Sequence, residues 1–217
     1  MSASGRFIVL EGVDGCGSTT QTRRLVEALR KRGHDARPTF EPSDGPIGQL
    51  IRSALEKRLQ AADGAPRRFD WATLALLFAA DRLDHVASVV EPGLAAGAVV
   101  VSDRYTLSSI VYQSVTAPAA AGDTVAWIES LNRSARVPDL TIVLGVSVEV
   151  AAERRRARGG PEELFDALST QERLSRAYAA AETLAEAQRI VHVSGEGSAE
   201  EVTARLLDVI AGALPEL

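Results

Sequence analysis

Cysteine occurs once in the 217 residues, as Cys16, so no internal disulfide can form and a reducing compartment is expected. Lysine is nearly as scarce. Lys31 and Lys57 are the only two, and every other basic residue is arginine, which limits the sites that an ammonium group can serve. Three dispersed histidines (His34, His85, His192) and one cysteine make no zinc spacing. Nor is there an excess of positive charge: 24 basic residues stand against 29 acidic ones, a formal net charge of −5, which argues against a nucleic-acid partner. The apolar run Ala72 to Ala80 stops at Asp81-Arg82 and is too short for a bilayer, so no membrane partner is expected. The first residues, Met1 to Phe7, lack the charged region and apolar stretch of a secretory signal. The expectation is a soluble cytoplasmic protein.

What is present is an ordinary globular mix, 46% hydrophobic and 24% charged, sized for a single domain. Five short apolar runs read as strands: Phe7 to Glu11, Ala36 to Phe40, Ala98 to Asp103, Asp139 to Val146 and Ile190 to Ser194. Between them lie helical patterns. One carries Leu25 and Leu29 and stops at Gly33; the longest, Phe69 to Val90, is expected to end near Glu91-Pro92. Others are expected at Ile47 to Leu55, Ser108 to Ser114, Thr124 to Ala135, Val148 to Arg158, Ser169 to Ala187 and Ala199 to Ala213. Continuous rather than alternating strand hydrophobicity, interleaved with helices, predicts a three-layer α/β sandwich around a five-stranded parallel sheet.

The first strand runs into Gly12-Val13-Asp14-Gly15-Cys16-Gly17-Ser18-Thr19-Thr20, which opens the first helix. Glycines there let backbone N–H groups and a helix N-terminus approach phosphate without a Cβ in the way. The spacing is that of the Walker A phosphate loop, but Ser18 stands where the pattern has lysine. Thr19 occupies the place of the magnesium-ligating hydroxyl, and Asp103, closing the third strand, that of a strand-end acid near the metal. Cys16 reads as a small loop residue rather than a nucleophile, although a helix N-terminus can lower a thiol pKa. Phe78 and Arg82, four apart on the longest helix, share a face that can stack on and hydrogen-bond a base, while Arg104 can hold a monophosphate.

The order of these segments carries more than any one of them. Glu11-Gly12-Val13-Asp14-Gly15, Glu41-Pro42, Leu76 to Arg82, Ser102-Asp103-Arg104-Tyr105 with Ser108, Tyr112-Gln113, Pro138-Asp139-Leu140 and Arg154 to Gly159 together resemble the thymidylate kinase family, from about Phe7 to Val209. The resemblance implies a P-loop nucleoside monophosphate kinase fold, transfer of the γ-phosphoryl of ATP to dTMP with Mg2+, and a homodimer. It places ATP on Gly12 to Thr20 and the metal at Thr19 and Asp103. It places dTMP against Asp14, Phe78 (stacking on thymine), Arg82 (on O4), Arg104 (on the acceptor phosphate), Ser109 (base edge), Tyr112 (against a ribose 2′-hydroxyl) and Gln113. A lid at about 154–168 brings Arg154, Arg156 and Arg158, which with Asp14 and Arg104 complete the implied catalytic set.

Two residues depart from the family pattern: Ser18 for lysine, and Phe40 before Glu41-Pro42, where arginine is frequent. A lid arginine is the expected replacement for the first, since neither lysine lies in the loop. Two other readings follow from the departures: a sister nucleotide kinase with another acceptor, or a nucleotide-binding protein without catalysis.

Overall fold

The computed structural model describes residues 5–159, 164–165 and 167–217. Its centre is one five-stranded parallel sheet, in the order β2-β3-β1-β4-β5. The strands are β1 (Arg6–Glu11), β2 (Ala36–Phe40), β3 (Val99–Asp103), β4 (Leu140–Gly145) and β5 (Ile190–Ser194). Chain order leaves the central β1 first to one side and later to the other, which opens a crevice at the carboxyl ends of the strands. The register sets Leu10 and Phe40 both opposite Asp103, and Glu11 opposite Val143. Four residues that carry chemistry, Glu11, Glu41, Asp103 and Arg104, are therefore at or just beyond one edge.

Alternation along β1 divides the interior. Ile8 and Leu10 join the larger apolar cluster with Leu25, Leu29, Val101, Ile142 and Leu206; Phe7 and Val9 face the smaller one with Val90, Val100 and Tyr105. Helices cover both faces: α1 (Ser18–Lys31), α2 (Pro46–Leu55), α3 (Trp71–His85), α4 (Glu91–Ala95), α5 (Thr106–Thr116), α6 (Thr124–Asn132), α7 (Val148–Arg158), α8 (Leu168–Ala179), α9 (Ala181–Leu184) and α10 (Ala199–Ala213). The three-layer α/β sandwich is as expected. Among the described residues no helix is long and apolar enough to cross a membrane.

Two helix readings need correction. Pro92 does not end the long helix: α3 passes through a π-helical turn, Val86–Val90, into α4. Proline is accommodated there because the π-helical turn immediately before it changes the hydrogen-bond register, so the helix continues past a residue with no N–H. The predicted helix Ser169 to Ala187 is two, because Ala180 leaves helical geometry at φ −108°, ψ 24° between α8 and α9. The lid predicted at 154–168 falls partly on residues 160–163 and 166, which lie outside the described residues; its first five residues are the end of α7.

Candidate active site

Gly17 precedes α1 with φ +98°, and no side chain caps the helix. Its first N–H groups therefore face a cavity of about 800 Å³ lined by Gly15 to Thr20. Gly15 is required for a second reason: a Cβ there would stand 2.4 Å from the Ala151 carbonyl oxygen, so the loop packs backbone to backbone on α7. Gly12 and Val13 do not line this cavity; Gly12 supplies a carbonyl to Arg104, and Val13 is core.

A second cavity, of about 350 Å³, opens on the other side of Asp14. All seven residues expected to hold the acceptor line it: Asp14, Phe78, Arg82, Arg104, Ser109, Tyr112 and Gln113. The two cavities share Asp14, Thr19 and Arg104.

Arg104 is held at this junction by an unusual backbone. It has φ +71°, a conformation costing about 1–3 kcal/mol in a residue with a Cβ. Its N–H donates to Leu10 O at 2.8 Å, and its Nη2 lies 2.6 Å from Asp14 Oδ1. Nη1 reaches Gly12 O, Ser108 Oγ and Tyr178 Oη at 3.0, 3.1 and 3.3 Å. The guanidinium also lies over the Tyr112 ring at 5.2 Å, and Tyr112 Oη donates to Asp14 Oδ2 at 3.0 Å. Burial opposes the charge, but the field of Tyr112, Asp14, Tyr178 and Asp103 outweighs it and keeps Arg104 protonated.

Thr19 Oγ1 donates to Asp103 Oδ2 at 2.5 Å, and Asp103 Oδ1 is buried with no partner among the described residues. A hydroxyl and a carboxylate with an unpartnered oxygen are hard oxygen donors, a set that suits Mg2+ completed by phosphate and water. Cys16 is buried, and desolvation pushes its thiol up despite the helix N-terminus beside it.

Arg82 is more deeply placed than a base-contacting arginine need be. Its side chain is 1% exposed. Nε donates to Glu41 Oε2 at 2.9 Å, Nη2 to Tyr105 O and Ser109 Oγ at 3.0 and 3.1 Å, and Nη1 to Asn132 Oδ1. Four of its five N–H groups are thus committed, leaving one on Nη1 for a ligand. Gln113 Oε1, buried in the same cavity, has no partner among the described residues.

The arginines at the end of α7 divide by helical phase. Ala151 marks the face of α7 that packs on the loop, and Arg154, Arg155 and Arg158 follow it at three, four and seven positions. All three line the larger cavity. Arg156 falls on the opposite side and is exposed, lining neither cavity. Arg155, outside the expected set, donates through Nη1 to Asp14 O at 2.6 Å and Gln171 Oε1 at 3.2 Å.

A model of the thymidylate kinase family matches residues 10–206. The chain belongs to the thymidylate kinase family. Among its relatives is a protein of Pyrococcus abyssi named "probable thymidylate kinase", 39% identical over 198 residues, or 91% of this chain and 92% of that one. The "thymidylate kinase" of Caulobacter vibrioides is 37% identical over 95% of this chain and 96% of its own, and that of a Synechococcus strain 40% identical over 96% of each.

Beyond the residues the resemblance implied, this family member builds its site on Glu11, Glu41 and Tyr178. Glu11 Oε1 accepts from the N–H groups of Tyr105 and Ser108 at 2.8 and 3.1 Å, capping α5 from a neighbouring strand. Its Oε2 accepts from Ser108 Oγ and Tyr178 Oη at 2.6 and 3.1 Å. Burial raises its pKa, against the opposing pull of Arg104 and these donors. The signal for Glu11 was the one used for Asp103, an acid at a strand's carboxyl end. Arg52, which also lines the smaller cavity, stacks on Phe40 at 5.3 Å and had no such signal.

Proposed function

We infer that this chain is a dTMP kinase that transfers the γ-phosphoryl of ATP to dTMP, giving dTDP and ADP. The single observation that carries the reading is the junction of the two cavities at Asp14, Thr19 and Arg104, one cavity lined by a phosphate loop and the other by the family's acceptor residues. An acceptor phosphate on Arg104 meets a donor phosphate on the loop there. A phosphate oxygen of dTMP attacks the γ-phosphorus, the bond to the β–γ bridging oxygen breaks, and ADP leaves with that oxygen. The acceptor is already an anion, so no side chain need remove a proton. Positioning and charge neutralisation remain for the protein to supply.

Thr19 and Asp103 would hold Mg2+, which when bound neutralises charge on the phosphates. Asp14, whose carboxylate is positioned by Arg104 and Tyr112, faces the sugar and phosphate. Phe78 forms a wall of the acceptor cavity against which thymine stacks, and Ser109 sits at the base edge beside Arg82. The unpartnered Gln113 Oε1 accepts from the imide N–H of thymine, and the remaining Nη1 hydrogen of Arg82 meets O4. Tyr112 fills the space a 2′-hydroxyl needs. Arg154, Arg155 and Arg158 serve the donor phosphates as the start of a lid at about 154–168 on a single domain. Arg156, implied by the resemblance, is given no role.

The unpaired Cys16 fits a cytoplasmic enzyme. Exposed Leu76 and Leu83, two turns apart on α3, fit a homodimer interface, which sedimentation velocity would test. The activity is tested by ADP release with ATP and Mg2+ against dTMP, dUMP, UMP, CMP, GMP and AMP. Selectivity for dTMP is expected; preference for another acceptor, or no turnover by folded protein, overturns it.

A further inference from the structure

The guanidinium of Arg82 is gripped unevenly. Glu41 Oε2 holds one edge, 2.9 Å from Nε and 2.7 Å from Nη2, and Nη2 also donates to Tyr105 O and Ser109 Oγ. The Tyr105 ring lies against the face of the group, 5.1 Å from its central carbon. Nη1 stands at the far side of that edge, where a small rotation about the edge displaces it most. Among the described residues it has one partner, Oδ1 of Asn132, the last residue of α6.

We propose that Asn132 is a positioning residue that fixes Arg82 Nη1 for the acceptor base and so sets the preference for an oxygen at C4 of the pyrimidine. This rests on the dTMP kinase reading above and adds to it a residue outside the binding cavities. Asn132 is half-buried and lines neither of them, so it acts through Arg82 alone. With one Nη1 hydrogen spent on Asn132, the other is a donor of fixed direction. A carbonyl oxygen at C4 accepts it, an amino group there meets it donor to donor, and sulfur accepts it poorly.

The amide of Asn132 can stand only one way round. Its Nδ2 donates at 2.7 Å to Ile128 O, a carbonyl one turn back in α6. A flipped amide would set its N–H groups against the guanidinium and oxygen against oxygen. The helix beneath it is firmly placed. Ile128 is buried in the core, and Trp127 meets Trp71 of α3 edge to face with ring centroids 5.2 Å apart. α6 is thus tied to the helix that carries Phe78 and Arg82, which gives Asn132 a rigid base.

Steady-state kinetics with two acceptors tests the assignment: dTMP, and 4-thio-dTMP, which keeps the imide N–H and changes only O4 to sulfur. Native protein is expected to prefer dTMP about tenfold in kcat/KM. Asn132→Ala is expected to lower kcat/KM for dTMP about tenfold, through KM, and that for 4-thio-dTMP about twofold or less, with the KM for ATP unchanged. The preference then nearly disappears. Equal losses on the two acceptors overturn the proposal, because damaged packing lowers both alike. So does a variant that keeps the native KM and preference.

Should Asn132→Ala fail to fold, Asn132→Leu, of similar shape and without the oxygen, is judged by the same two acceptors. If the native chain turns over no acceptor, the kinase reading fails by itself. The Kd values of dTMP and 4-thio-dTMP, measured by calorimetry, then decide the role of Asn132. A native preference for dTMP that the variant loses supports it; equal native affinities, or no binding of either, overturn it.

Discussion

One carboxylate holds two buried basic residues beside the acceptor cavity: Glu41 Oε2 accepts from Arg82 Nε at 2.9 Å, while Glu41 Oε1 lies 3.1 Å from His85 Nδ1. His85 Nε2 in turn meets Thr39 Oγ1 at 2.5 Å. Arg82 cannot move without breaking this chain. Glu41→Ala leaves a buried guanidinium without its counter-ion, a change that costs about 3–5 kcal/mol. Urea unfolding should report that loss, and the KM for dTMP should rise as Arg82 loses its anchor. Native stability in the variant would remove the pair from the account of the site.

In the proposed site the acceptor phosphate falls to Arg104, since Phe40 stands where the family pattern often has arginine. Arg104→Ala should therefore reduce kcat/KM for dTMP by about a hundredfold or more. Steady-state kinetics at saturating ATP checks it, and near-native KM and kcat would dismiss the assignment.

Gln113 Oε1 is a buried acceptor waiting for a donor. Gln113→Leu keeps approximate shape and removes that acceptor, so kcat/KM for dTMP should fall about tenfold. The KM for ATP should be unchanged in the same assays.

Glu11 has a raised pKa in the folded protein because burial disfavours its charge. A carboxyl with a higher pKa folded than unfolded binds its proton more tightly in the native state. Its stability contribution is greatest at low pH and is lost as pH rises above the unfolded value near 4.5. Glu11→Gln abolishes this slope. Urea unfolding from pH 4.5 to 7.5 should show the native protein losing stability relative to the variant as pH increases, and parallel curves would refute it.

The Cys16 thiol is buried and its pKa is pushed up, so the thiolate that attacks alkylating reagents is scarce. Iodoacetamide at pH 8 should label the native protein much more slowly than the urea-unfolded chain, measured by mass spectrometry. ATP should slow labelling further by closing over the loop.

Local order was largely legible in the residues. The strands Ala36–Phe40 and Ile190–Ser194 and the helices Val148–Arg158 and Ala199–Ala213 follow their apolar patterns to the residue, because each is bounded by polar or glycine-rich punctuation. Pro92 misled, since a proline ends a helix only where the hydrogen-bond register cannot adjust around its missing N–H. A π-helical turn just upstream decides that, and it has no signature in the apolar spacing.

The chain's own sequence determined that a glycine loop would follow a buried strand, that Phe78 and Arg82 would share a helix face, and that the loop would lack an ammonium group. These depend on covalent order and on the 3.6-residue period alone. That Arg154 reaches back to the Cys16 carbonyl, and that Arg82 is held between Glu41, Asn132, Tyr105 and Ser109, were decided only by tertiary structure. Those relationships join residues up to 138 positions apart. Charge and hydrogen-bond partners at such separations are set by how strands align and helices rotate as they pack, and no local pattern encodes that phase.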